Sequence, residues 1–115
     1  MSASPLDPET IASIRALAGD GGDDFLREII GIFLEDTPLR VTELEDALRA
    51  GDTPKFARAA HSIKGSSSNV GALLLRSEAE AVEKHAQESL AGAQPAVDRL
   101  KAEFERAKQA LTALL

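Results

Sequence analysis

"QPAVDRLKAEFERAKQALTALL", residues 94–115, places Val97, Leu100, Phe104, Ala107, Leu111 and Leu114 at steps of three and four. That spacing draws one apolar stripe down a helix of 3.6 residues per turn, with charged residues on the other faces. The same stripe recurs upstream, in Ala72, Leu75, Ala79, Val82 and Ala86, and again in Val41, Leu44 and Leu48. Phe25, Ile29, Ile32 and Phe33 begin a longer helix, and Ile11, Ile14 and Leu17 make a short one. No stretch alternates with period two, so no strand is expected.

Proline and glycine set the boundaries. Asp7-Pro8, Thr37-Pro38 and Thr53-Pro54 each put a capping side chain before a proline, which predicts three helix starts. Gly19 to Gly22 reads as a loop, and Gly51-Asp52, Asn69-Val70-Gly71 and Ala91-Gly92 read as breaks. Six helices with short connections imply antiparallel neighbours. The expected fold is all-α: an antiparallel up-down four-helix bundle with one or two extra short N-terminal helices. At 115 residues the chain makes one domain, 1–115, with residues 1–6 flexible.

Composition narrows the function classes. Hydrophobic residues make up 43% and aromatic residues 3%, all Phe, so the core is aliphatic and suits packed helices. A net charge of −6 repels phosphate backbones and argues against nucleic acid as a partner. The lack of cysteine excludes disulfides and thiolate metal sites. No apolar run approaches the roughly 20 residues that span a bilayer, and the N-terminus has no signal-peptide pattern. The reading is a cytoplasmic, soluble monomer, with no membrane partner.

One of the two histidines stands out by its neighbours. On a helix over residues 54–70, Phe56, Ala59, Ile63, Ser66, Ser67 and Val70 gather on the core side. His61 points the other way, together with Ala57, Arg58, Lys64, Gly65 and Ser68. Glycine inside a helix costs on the order of 1 kcal/mol relative to alanine. That cost makes sense at Gly65 if something approaches the backbone there. A neutral imidazole is a competent nucleophile, since its unperturbed pKa is about 6.5. A phosphoryl group placed on it brings negative charge, which the Lys64 ammonium one turn away would balance.

The segment "AHSIKGSSSNVGA", Ala60 to Ala72, resembles the signature of histidine-containing phosphotransfer (HPt) domains. His61, Ile63, Lys64, Gly65, Ser66, Ser67, Gly71 and Ala72 fill its pattern, with Phe56 and Ala59 upstream. Leu6 to Asp36 is similar to the family's first two helices. The resemblance implies that His61 is the phosphorylated residue, through Nε2. Lys64 would contact the phosphoryl oxygens, and Gly65 would admit the receiver domain of a response regulator. It implies a stoichiometric phosphocarrier between receiver-domain aspartates, fed by a histidine kinase or hybrid kinase. By the same resemblance it would not be an enzyme, would have no ATP site of its own and would need no cofactor, the Mg²⁺ belonging to the receiver. With nothing beyond the bundle, the chain reads as freestanding. The competing class is an adaptor bundle that binds receivers or kinases without being phosphorylated.

Ala57, Arg58 and Ser68 are the expected binding rim around His61. The helix starting near Asp24 carries more apolar surface than one core face needs. The surplus is expected to form a docking patch from Leu26, Ile30 and the helix Ile11–Leu17. Other signals are set aside. Lys64-Gly65-Ser66 has the wrong order for a P-loop. Gly31 stands where a calcium loop counted from Asp20 needs a glutamate. His85 reads as a solvated residue, and no histidine pair has metal-ligand spacing.

Overall fold

The computed structural model describes residues 4–115. Five α-helices follow in order: α1 (Pro8–Leu17), α2 (Gly22–Ala50), α3 (Thr53–Asn69), α4 (Leu73–Glu88) and α5 (Gln94–Thr112). A single 3₁₀ turn, Gly19–Gly21, joins α1 to α2, and no strand occurs among the described residues. The four long helices α2 to α5 form the up-down bundle, and α1 lies against α2 as the extra N-terminal helix.

The ends of these helices follow their capping chemistry. Asp7 accepts a hydrogen bond from the Glu9 amide (3.2 Å) and another from the Thr10 hydroxyl (2.8 Å), fixing the start of α1. Gly51, at φ +68°, closes α2 in the left-handed conformation that glycine adopts without strain. The start of α3 lies one residue from the expected cap: Asp52 accepts from the Lys55 amide, while Thr53 is already helical. Of the six N-terminal residues expected to be flexible, the first three lie outside the described residues. Leu6 packs partly buried against the core, and the Asp7 amide donates to the Gly71 carbonyl at 2.7 Å.

The expected start at Thr37-Pro38 is wrong: α2 runs through Pro38 without interruption for 29 residues. A mid-helix proline removes one amide donor and crowds the preceding turn. Burial outweighs that cost. Leu26, Ile30, Phe33, Thr37, Val41, Leu44 and Ala47 are buried in register along one face, on both sides of the proline. A break would take half of that stripe out of the core. Arg40 also ties Asp36 to Glu43 across this stretch, and the Thr42 hydroxyl donates to the Pro38 carbonyl.

The core is aliphatic, as composition implies, with one aromatic pair. Phe33 of α2 and Phe104 of α5 meet edge to face at 5.9 Å between ring centroids. Around them pack Leu44, Phe56, Ile63, Leu75, Val82, Leu100 and Leu111, all essentially inaccessible to solvent. No helix among the described residues is long and apolar enough to cross a membrane.

Candidate functional site

Helix α3 is gripped on two sides, by α2 and by α4. Phe56, Ala59, Ala60, Ile63, Ser67 and Val70 fill those contacts. The Ser67 hydroxyl bonds back to the Ile63 carbonyl at 2.6 Å, so a polar side chain enters the core satisfied. Ser66, expected in the core, is only half-buried. The third side of α3 faces solvent and carries His61, whose side chain is 72% exposed. Arg58 and Ser68 are exposed on the same face, and Ala57 is half-buried at its edge. The Ser68 hydroxyl donates to the Lys64 carbonyl at 3.2 Å.

Lys64 lies beside His61, half-buried against α4. There both meet a residue that sequence reading missed. Glu83 of α4 accepts a hydrogen bond from Lys64 Nζ at 2.7 Å through Oε1, and its Oε2 lies 3.1 Å from His61 Nδ1. The Lys64 hydrogen bond holds the Glu83 carboxyl below the usual carboxylate range; partial burial opposes this, and His61 adds to the lowering. One carboxylate therefore connects the imidazole to the ammonium across two helices.

Gly65 sits one turn above His61. A Cβ built there meets no atom within 4 Å, so nothing inside the chain requires a glycine. Gly22 is the contrast: a Cβ there would collide with the Arg15 carbonyl at 2.2 Å. Packing explains Gly22, whereas the vacancy at Gly65 opens outward only.

The residues expected to form a docking patch do not lie at the surface. Leu26 and Ile30 are 2% and 0% exposed, so both belong to the core and cannot form a patch. Ile11 and Ile14 of α1 are buried as well, whereas Leu17 is exposed. The surplus apolar surface of α2 is the adjoining stripe of Phe25, Ile29 and Ile32. With Leu17 of α1 and Ser66 and Asn69 of α3, this stripe lines an open groove of about 380 Å³. The groove begins five residues past His61, about 8 Å along α3 at the usual helical rise. Among the described residues no three His, Asp or Glu side chains gather into a metal-holding group.

Residues 28–110 match the Hpt domain family. Histidine-containing phosphotransfer protein 2 of Arabidopsis thaliana is 33% identical over 67 residues, 56% of this chain. That match spans 43% of the plant protein, less than half its length. The crystal structure of histidine-containing phosphotransfer protein B from Pseudomonas aeruginosa PAO1 superposes with a TM-score of 0.86 at 29% identity. It covers 97% of this chain and 95% of that one. An exposed histidine on the outer face of a bundle helix, a lysine one turn on and an unobstructed glycine thus agree with sequence and fold alike: the chain belongs to the Hpt domain family.

Proposed function

We propose that the chain is a stoichiometric phosphocarrier in a two-component phosphorelay, with His61 as the residue that holds the phosphoryl group. The observation that carries this reading is the solvent-facing imidazole with an ammonium beside it and bare backbone above it. Phosphoryl transfer demands positioning and charge stabilisation more than covalent chemistry from the carrier. Lys64 supplies positive charge where the phosphoryl oxygens arrive. Gly65 lets the donor's backbone close on the ring. Receiver domains are the partners that this face accommodates, loaded in turn by a histidine kinase, and Mg²⁺ and the remaining catalytic groups come from the receiver. The groove between α1, α2 and α3, which starts five residues past His61 along α3, supports the reading by offering a receiver apolar contact area.

Incubation with a ³²P-labelled, phosphorylated receiver domain tests the proposal. The expected result is acid-labile, base-stable label on this chain, lost in His61→Gln. Stable receiver binding with no label on the wild-type chain would instead establish the adaptor reading. Label persisting in His61→Gln would place the phosphoacceptor elsewhere.

A further inference from the structure

We propose that Asp36 selects among receiver domains, by requiring a lysine or arginine on the partner where its apolar face covers the groove between α1, α2 and α3. This inference deepens the phosphocarrier reading and rests on it. The groove starts five residues past His61, about 8 Å along α3, so a domain that reaches the ring also lies over the groove. Helices α2 and α3 run antiparallel from their junction at Gly51. The end of the groove nearer His61 is therefore formed by the last lining residue of α2 and the first of α3. These are Asp36 and Ser66. Asp36 is the only charged side chain among the described residues that line the groove.

Its carboxylate is incompletely paired. Oδ1 accepts a hydrogen bond from Arg40 Nη2 at 3.2 Å, while Arg40 Nη1 donates to Glu43 at 2.6 Å. One guanidinium serves two carboxylates, so the three side chains together carry one net negative charge. The Asp36 side chain is 40% exposed, and water solvates what Arg40 does not.

A partner seated on Phe25, Ile29 and Ile32 displaces that water. A carboxylate taken out of water is costly unless a cation replaces the lost solvent. A lysine or arginine of the partner that reaches Asp36 does so. An apolar residue in the same place strands the charge, and an acidic one adds repulsion. The apolar stripe thus offers adhesion to any receiver with a matching apolar face, and Asp36 discriminates among those receivers. The alternative is that Asp36 and Arg40 merely stabilise α2 as an i,i+4 pair. The two roles differ when Arg40 is removed. A structural pair is broken equally from either side. A selecting carboxylate is lost in Asp36→Asn but presents its full charge in Arg40→Gln.

The test titrates the host's receiver domains into the full chain by calorimetry and takes forward the one that binds most tightly. Asp36→Asn is expected to weaken that receiver by about tenfold and to flatten the salt dependence of binding. Arg40→Gln is expected to tighten it by about threefold. Each exposed lysine and arginine on the receiver's docking face is then replaced singly by alanine. For one of them the replacement should weaken binding to wild type and leave binding to Asp36→Asn unchanged. Urea denaturation establishes that each variant is folded. The proposal is overturned if Asp36→Asn binds as well as wild type, if Asp36→Asn and Arg40→Gln shift affinity in the same direction, or if no cation of the receiver couples to Asp36. Binding by no receiver would overturn it together with the relay reading. Binding that depends on Asp36 without any transfer of label would count against the phosphocarrier reading alone.

Discussion

At the scale of single residues, Gly65 is where folding and the proposed transfer can be tested apart. Alanine in its place meets no neighbour and is a better helix former, so Gly65→Ala should raise stability by about 0.5–1 kcal/mol. The same substitution should slow phosphoryl transfer from a receiver, and Gly65→Leu should slow it further while leaving phosphoramidate loading unchanged. Urea denaturation and the two transfer assays check this together. Glu83 gives a pH signature. Its folded carboxyl titrates below the ordinary range, so its contribution is complete above about pH 4.3, the value of an unfolded glutamate, and is lost as pH falls through the lower folded value. The stability gap between wild type and Glu83→Gln should be open near about pH 6 and close below about pH 4. His61, Lys64 and Gly65 were legible because they share one face of one helix, which spacing alone reveals. Glu83 was not, since it lies 22 residues from His61 on another helix. A signal did exist: α3 and α4 fold back on each other at Gly71, and His61 and Glu83 stand ten residues before and twelve after it. An antiparallel hairpin brings such positions level.

At the scale of the helix, α2 shows where local rules lose. Thr37-Pro38 has the chemistry of a helix start, and it sits in the middle of the longest helix. The deciding quantity is the run of buried residues on both sides of it, which no local motif encodes. Pro38 is exposed, so Pro38→Ala should keep the fold, restore a donor for the Leu34 carbonyl and raise stability by about 1–3 kcal/mol. Thermal unfolding followed by circular dichroism measures it; a loss of stability would show that the proline matches a bend that the bundle needs. The same helix explains the misplaced patch. Its two apolar stripes, one with Leu26 and Ile30 and the other with Phe25, Ile29 and Ile32, lie side by side around the axis. Periodicity establishes that the surplus exists; only the position of the neighbouring helices decides which stripe turns inward.

At the scale of the molecule, the bundle was legible as a whole because its four long stripes and its glycine breaks agree with one another. The arrangement around α1 was not. Gly71, at φ +72°, lies against Thr10 so closely that a Cβ there would stand 2.8 Å from the Thr10 Cβ, and its carbonyl holds the Asp7 amide. Gly22 likewise admits the Arg15 carbonyl. These close approaches fasten α1 against the bundle and set Leu17 at the mouth of the groove. Ile32, 57% exposed there, is the residue to test. Ile32→Glu should weaken receiver binding by about tenfold, roughly 1.4 kcal/mol, with folding stability changed by less than about 0.5 kcal/mol. Titration of a receiver into both forms by calorimetry reads the first figure, and urea denaturation reads the second.

The openness of the His61 face has a cost in time. A ring that a receiver can reach without any part of the chain moving aside is a ring that water reaches just as freely. In the proposed phosphocarrier, whatever message His61 stored would fade on its own clock, so the carrier would remember briefly, and a relay built on it would work only if the next recipient arrived before hydrolysis erased the record.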